Sequence, residues 1–543
     1  MANQITDGRA NVTTAESITG FEDLTGSASG TLDNEIFIEG SNSVGYYTTT
    51  TRDGLLWNYG TDQDLTDTVV YIWFNCGVAG LLEIKANAGV TVRFTGPTVT
   101  DWYEVYIAGS DDFPTAVSGG WVQLAVDATV ARAAAVTNGW TNGTAPAASA
   151  IRRVGISTIT AATMPRMVDN TWIDQIATLG PSTAGIVVEG RNAGTTDWDF
   201  ADIVTTLGPG VGTAKFGSGG SIILNTPVQF GINDTSTHGF TDTNATILWD
   251  NQEYLPDGFY GFSALGNVGG TTDVTLGIKS GTGTAATGAQ GGSISADSTL
   301  SRWDLDFDDP DVDSVGFYGV SMLHGGDFQL DDPAVEFISC IINDTTSATV
   351  SNSSMLKNSI VDANTADDVS FMFTDDLGDI KFCTFEFSDG HAVELVTPRV
   401  ASQTSQGNTF SGYGATGSTD AAIYNQTAGL VDITATDGSS VSEHTYKNGA
   451  SASTTVTAAI TVTYTGITAG TEVRVYVVST GAEEDGIEST AGTSFAATLQ
   501  SGVAYNVVAI SKGYIPIRLE NQTYTGSTSV GLNQQPDANY SNP

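Results

Sequence analysis

The sequence predicts an all-β chain, on three observations. Short apolar motifs recur at a near-constant step in its second half. Alternating apolar and polar residues, bounded by Gly, Asn and Asp, fill most of the remainder. Regular helical spacing of apolar residues is almost absent.

The recurring motifs are Phe317-Tyr-Gly-Val-Ser-Met322, Phe337-Ile-Ser-Cys-Ile-Ile342, Leu356-Lys-Asn-Ser-Ile-Val361, Ile380-Lys-Phe-Cys-Thr-Phe385 and, more weakly, the neighbourhood of Phe410. Their fourth positions are Val320, Cys340, Ser359, Cys383 and, by extension, Asn408, at steps of 20, 19, 24 and 25 residues. Each motif is one strand long and is followed by polar chain. Repeats of this period predict a solenoid in which each coil covers the apolar side of the next. Strand-rich and helix-poor, it is expected to be a right-handed parallel β-helix over 181–440. Ser221–Leu224 and Val228–Ile232 are candidate strands of its first coils, and Gly281–Gly292 reads as a loop or arm.

Residues 1–180 read as a β-sandwich of jelly-roll type. Val69–Phe74 has the run of a fully buried strand, while Val90, Val92 and Phe94 alternate with Thr91, Arg93 and Thr95. Trp121–Asp127 and Ile173–Ile176 add further strands. Residues 441–452 read as a linker. Residues 453–535 alternate again (Ile460, Val462, Tyr464; Val473, Val475, Val477) and predict a small Ig-like or transthyretin-like sandwich. A polar tail, 536–543, is expected to be extended.

At 543 residues the chain is too long for one core. Its 19 Lys and Arg against 61 Asp and Glu leave a formal charge of −42. A field of that sign repels phosphate backbones and anionic lipid, so nucleic-acid and membrane-surface roles are excluded as expectations. Most carboxylates are read as a solvated surface, the sharper alternative being cation binding. Cys76, Cys340 and Cys383 sit inside apolar runs and are expected to be buried thiols. The first residues show no basic stretch followed by an apolar one, and no run is long enough to span a bilayer, so no export or membrane insertion is expected.

The densest acidic segment is Trp303-Asp-Leu-Asp-Phe-Asp-Asp-Pro-Asp-Val-Asp313. On a strand, Asp304, Asp306 and Asp308 share one face, and Trp303, Leu305 and Phe307 the other. Carboxylates about 7 Å apart along a strand repel unless solvated or metal-bound, so these three are the candidate Ca²⁺ ligands. The spacing is not that of an EF-hand, since Asp309 and Val315 stand where Gly and Glu belong. Trp57, Trp102 and Tyr103 flank turn signals and are the candidate carbohydrate-stacking residues among the sandwich aromatics. Acidic pairs for hydrolysis abound on the solenoid (Asp367, Asp368, Asp375, Asp376, Asp379, Glu386, Asp389, Glu394), so none stands out, and no catalytic residue is assigned. His238, His324, His391 and His444 have no metal or triad spacing and are expected at the surface or in turns. No cofactor is implied beyond Ca²⁺.

The order of parts resembles that of virion structural proteins of tailed bacteriophages. The likeness is carried by a lectin-like sandwich with Gly119-Gly-Trp-Val-Gln-Leu-Ala-Val-Asp127 and Ile151-Arg-Arg-Val-Gly-Ile156, by the turn Trp198-Asp-Phe-Ala-Asp-Ile203, and by Phe-x-x-Cys rungs. A C-terminal module with Gly470-Thr-Glu-Val-Arg-Val-Tyr476 and Lys512-Gly-Tyr-Ile-Pro516 completes it. The resemblance implies a non-enzymatic head decoration, head fibre or tail appendage, assembled in the host cytoplasm and displayed on the virion surface. It implies a homotrimer that contacts other virion proteins and a host glycan. The alternatives are a tailspike-type polysaccharide depolymerase and a carbohydrate-binding adhesin.

Overall fold

A computed structural model describes residues 4–38, 40–47, 52–76, 89–108, 120–138, 140–159, 170–181, 183–207, 214–216, 221–232, 237–243, 245–249, 254–256, 259–265, 274–279, 292–296, 302–307, 312–330, 334–350, 355–363, 365–386, 388–397 and 399–540. Strands hold 56% of the chain and helices 6%, so the class is all-β. The chain forms two compact units, 1–355 with 362–364, and 356–361 with 365–543. Asp308 and most of 281–292 lie outside the described residues.

In the first unit, two six-stranded sheets enclose one core. One sheet runs Val122–Asp127, Val69–Asn75, Asn170–Leu179, Ser43–Tyr47, Thr31–Asp33, with Ala10–Thr13 beside Asn170–Leu179. The other runs Thr141–Asn142, Trp102–Ala108, Val90–Thr95, Ile151–Ile159, Arg52–Gln63, Phe21–Asp23. Val70, Ile72 and Phe74 of the first meet Val92, Phe94, Val154 and Ile156 of the second, as the alternation of apolar residues requires. The far face of the first sheet is also covered, by Trp73, Trp121 and Trp172 packing with Ile36 and Ile38, which is why Val69–Asn75 is buried throughout.

Among the described residues, two short α-helices interrupt the strands. Ala128–Asn138 starts at Asp127, whose Oδ1 accepts from the amides of Thr129 (2.7 Å) and Val130 (2.8 Å). Its alanines have the highest helix propensity of any residue. Phe200–Leu207 starts at a reciprocal cap, with Asp199 accepting from the amide of Asp202 (2.7 Å) and Asp202 from that of Asp199 (3.3 Å). Trp198–Ile203, read from sequence as a turn, is thus in part a helix start.

Beyond the sandwich, the first unit winds through three parallel sheets in turn. Ile222–Leu224, Thr246–Trp249, Gly292–Ala296, Val320–Leu323 and Ile341–Thr345 form one ladder. Ile186–Glu189, Val228–Phe230, Tyr260–Ala264, Trp303–Asp306, Gly325–Leu330 and Ser347–Val350 form the second. His238–Thr243, Val274–Lys279, Val312–Tyr318 and Ala334–Ile338 form the third. Their inward side chains meet across the sheets, Phe230 4.6 Å from Phe240 and Trp249 5.2 Å from Phe262, and along one of them, Trp303 4.9 Å from Phe328. Each such ring contributes about 1.5–3 kcal/mol on burial. Gln4–Asp7 pairs antiparallel with Ile186–Glu189, and Ala214–Phe216 with Ile222–Leu224. Sheet edges that would template aggregation are covered there. Residues 4–7 therefore belong to the ladder as well as to the segment read as sandwich.

The second unit repeats the three-sheet winding. Its ladders are Met355–Lys357, Ile380–Lys381, Ser402–Gln406, Leu430–Thr436 and Ser453–Thr465; Ser370–Thr374, His391–Leu395, Ile423–Asn425 and Tyr446–Asn448; and Thr384–Glu386 with Thr409–Phe410. Two expectations are corrected here. Residues 441–452 are not a free linker, because Tyr446–Asn448 pairs with Ile423–Asn425 and the chain runs on into the ladder strand Ser453–Thr465. Residues 453–458 of that strand pair parallel with 430–435, and 459–465 pair antiparallel with Ser494–Gln500 of the terminal sandwich. The tail is tied down as well, by a bridge from Tyr514 to Pro536 and by the Asp537 amide donating to the Gly513 carbonyl (3.0 Å). The terminal sandwich closes on Val462, Tyr464, Val473, Val475, Tyr505 and Val507.

The histidines are a further correction. His238, His391 and His444 are buried, not at the surface. His444 Nε2 faces Ser405 Oγ (2.7 Å) and Nδ1 the Ser440 carbonyl (2.8 Å). Burial, the largest cause, holds its pKa below the ordinary value. The unfolded chain takes up this proton more readily, so the stabilisation present above the ordinary histidine range is lost as pH falls through it.

The turn Leu377–Asp379 carries the opposite sign. Burial first, then Asp376 and Asp375, push the Asp379 carboxyl up from 3.8 to about 6. A raised folded pKa favours the protonated fold, so stability falls as pH rises from about 3.8 through about 6. Discounted for its partial exposure, the effect is about 1 kcal/mol. Asp379→Asn is expected to raise the melting midpoint at pH 7.5 and leave it unchanged near pH 4. An equal midpoint at both values would remove the assignment.

Candidate functional site

The three aromatics chosen from sequence as sugar-stacking residues do not meet in an open site. Trp57 faces the core of its sheet, edge-on to Phe21 at 5.2 Å. Tyr103 is 0% exposed, stacked on Phe94 at 4.9 Å, with its hydroxyl donating to the Ala128 carbonyl (2.9 Å). Its expected exposure is corrected, because the register that pairs Phe94 with Tyr103 turns both inward. Trp102 points to the other face and is half-buried. The guanidinium of Arg93 lies 4.3 Å over its ring and that of Arg52 5.0 Å. Both arginines pair with Glu104, which is 0% exposed. Burial first, then the charge of Arg52, lowers Arg93 to about 9. The arrangement is a buried ion cluster with Trp102 as its lid.

The acidic strand leads elsewhere. Trp303, Leu305 and Phe307 are buried, while Asp304 is half-buried and Asp306 exposed, as the alternation requires. Asp304 and Asp306 line a cleft of about 550 Å³, the volume of a small-ligand site. Asp67, Val69, Asp127 and Val130, from the sandwich segment, line it as well. Gly180, Pro181, Thr183, Pro227 and Pro256 complete the sides, and Phe259, Phe262, Ser263, Asp327 and Gln329 the remainder. Phe259 is half-buried and offers an aromatic surface, while Phe262 and Leu305 are buried.

The carboxylates of the cleft have distinct duties. Asp304 Oδ1 accepts from the amide of Asp327 (2.9 Å), and Asp327 Oδ1 from Ser347 Oγ (2.5 Å). Asp127 caps its helix through Oδ1, and its pKa is raised, by burial first and by Asp67 last. Among the described residues no group of three or more acidic, His or Cys side chains converges to hold a metal ion. The Ca²⁺ set of Asp304, Asp306 and Asp308 is thus represented by two residues that share a cleft wall. Sequence reasoning singled out Asp304 and Asp306 only as candidate Ca²⁺ ligands, and it did not single out Asp67, Asp127, Phe259 or Asp327. Only Asp127 had a local signal, an N-cap residue before an alanine-rich run.

No family model matches the chain, and neither does any curated protein. Among solved structures, an exo-β-agarase is similar over 32% of this chain and 25% of its own, at 10% identity and a TM-score of 0.22. A family 11 carbohydrate-binding module from Clostridium thermocellum is similar over 32% of this chain and 97% of its own, at 8% identity and a TM-score of 0.22. The xylan-binding module CBM15 is similar over 34% of this chain and all of its own, at 13% identity and a TM-score of 0.20. The chain spans about a quarter of the agarase, and each likeness stays within about a third of this chain.

Proposed function

We propose that this chain is a non-enzymatic binding and display protein whose cleft takes a carbohydrate. The observation that carries the reading is the cleft itself. Sugar sites combine an apolar or aromatic surface for the ring with fixed acceptors for its hydroxyls. Here Phe259, Pro181, Pro227 and Pro256 supply the first, and Asp304, Asp306, Asp327, Ser263 and Gln329 the second. The acceptors Ser263, Asp304, Asp306, Asp327 and Gln329 stand on ladder strands, which preorganises them, while Pro181, Pro227, Pro256 and Phe259 sit in the turns beside strands. The three-sheet winding supports a parallel β-helix as the display rod. On that reading the virion appendage, trimeric and surface-displayed, is the biological setting.

Phe259→Ala is expected to weaken oligosaccharide binding about tenfold, the equivalent of about 1.4 kcal/mol. Calorimetry of the whole chain against a panel of bacterial and algal oligosaccharides checks it. Unchanged affinity in the variant, or no binding to any member, would defeat the cleft as a sugar site. Release of new reducing ends from any polymer would replace binding by hydrolysis. Light scattering tests the setting, since a trimer has three times the mass of the 56.4 kDa chain.

A further inference from the structure

We propose that the second unit carries a site for an acidic sugar: Lys357 and Lys381 hold the carboxylate of a uronic acid residue, and the ring of Phe382 packs against the sugar ring. The site belongs to the second unit, whereas the cleft belongs to the first, and it does not depend on the cleft.

Two residue choices here work against the fold, and nothing in the fold offsets them. The first is a row of like charge. Lys357 and Lys381 are register partners on adjacent rungs, about 4.8 Å apart at the backbone. Leu356 and Ile380, the residues before them, are buried, so both lysines face outward, and both are partly exposed. Like charges directly opposite destabilise a sheet. Among the described residues neither ammonium forms an ion pair, in a chain with 61 acids against 19 basic residues. Asp379 feels the charge of Lys381 but makes no ion pair with it. The second is Phe382. It directly follows Lys381, holds φ at 56° and is 41% exposed. The corresponding corners use Gly319, Ser339, Asn358 and Gly407, and a bulky residue in this conformation is an outlier. Its ring lies against Gly407 of the next rung, where any side chain would collide with it. An aromatic surface is thus held open beside the lysine row.

One ligand class answers both. An anion between the two ammonium groups turns their repulsion into two charge-assisted bonds, each about twice as strong as a neutral one. The ring beside them takes the apolar face of a sugar. Gln406, next in the lysine row, and Thr404, on the same outward face, offer hydrogen-bonding groups to its hydroxyls. The charge density of the ligand is bounded by the formal charge of −42. A polyphosphate or a densely sulfated chain would bring many charges onto an acidic surface that is screened only beyond about 8 Å at physiological salt. A uronate brings one charge per ring and sets it at the pair. The acidic surface of a second copy would bring further carboxylates with the one that the pair takes, so it fits less well.

The test is calorimetry on the full chain at about 0.15 M salt, where the rest of the acidic surface is screened. The probes are tetramers of galacturonate and of mannuronate, each beside its fully methyl-esterified counterpart. At least one acid is expected to bind about tenfold more tightly than its ester. Lys357→Gln combined with Lys381→Gln is expected to abolish that gap and, by removing a like-charge pair, to leave the melting midpoint unchanged or higher. Phe382→Asn, which suits a left-handed corner, is expected to weaken binding of the acid about fivefold with no loss of stability. Residues kept for structure alone would give the reverse, stability lost and affinity retained, and that result would overturn the site. Equal affinity for acid and ester in both series, or a gap that survives the double lysine variant, would overturn it too. A change of mass in solution on substituting the lysines, with sugar affinity unmoved, would assign them instead to a contact between copies. None of these outcomes bears on the cleft, which Phe259→Ala tests separately.

Discussion

Replacing Glu104 by Ala is expected to destabilise the N-terminal sandwich by about 3–5 kcal/mol. Glu104 is 0% exposed, and its carboxylate meets Arg93 Nε at 2.5 Å and the guanidinium of Arg52. Arg93 is itself only 4% exposed. Removing the carboxylate leaves that guanidinium beside Arg52 with its strongest partner gone and water excluded. Deleting one member of a buried pair costs far more than replacing both by apolar side chains. Arg93→Met combined with Glu104→Leu is therefore expected to recover most of the loss. The unit is too large for a single two-state transition, so amide exchange is the right reporter. Peptides covering 90–95 and 102–108 should lose protection by about 100- to 5,000-fold in Glu104→Ala. Native-like protection there would show that the cluster contributes nothing to this fold.

Trp303→Ala is expected to cost as much, and to abolish ligand binding too. Trp303 is 0% exposed and packs 4.9 Å from Phe328 and 6.2 Å from Phe262. Its Nε1 donates to the Leu323 carbonyl at 2.9 Å, which joins two strands of the winding. Truncating such a ring costs about 3–5 kcal/mol through lost contacts and the cavity left behind. The same strand presents Asp304 and Asp306 to the cleft, so a collapsed core beneath it displaces them. Trp303→Phe keeps a ring and should lose roughly half as much. Calorimetry with an oligosaccharide that binds the native chain, beside amide exchange over 303–306, separates the cases. Full affinity in Trp303→Ala would mean that the strand holds its place without the tryptophan.

The rungs were legible in the sequence because their physics is local. Val320, Cys340, Ser359, Cys383 and Asn408 are all buried, and each directly follows a residue with positive φ: Gly319 (69°), Ser339 (59°), Asn358 (50°), Phe382 (56°) and Gly407 (65°). One left-handed residue turns the chain from one sheet to the next, and the residue after it points inward. The apolar spacing records that corner even where Ser or Phe occupies it. Asn408 shows why the pattern tolerates a polar member. Its Oδ1 accepts from the Cys383 amide (3.0 Å) and its Nδ2 donates to the Ile380 carbonyl (2.7 Å), so its burial is satisfied. Cys383, packed as a small hydrophobe, has its thiol pushed up to about 12 by burial.

The cleft was not legible, because no window of sequence contains it. Its walls come from residues near 67, 127, 180, 227, 259, 304 and 327. The strand alternation told that Asp304 and Asp306 face outward, but not what they face. The sandwich aromatics misled for a related reason. Trp57, Trp102 and Tyr103 lie near turn signals, yet side-chain direction is set by pairing register, which turns Tyr103 inward and puts Arg93 and Arg52 over Trp102. The helix Ala128–Asn138 escaped notice because its buried positions, Ala128, Ala131 and Ala135, are alanines, which carry propensity rather than amphipathic contrast.

The strand Ser453–Thr465 has a mechanical consequence. One uninterrupted backbone serves the last parallel rung at its start and the terminal sandwich at its end. A tug on that sandwich meets no slack segment that could extend first. The load passes directly into the hydrogen bonds that join 453–458 to 430–435, pulled along the strand axis so that several bonds share it instead of opening one by one. The joint acts as a splice and not as a swivel.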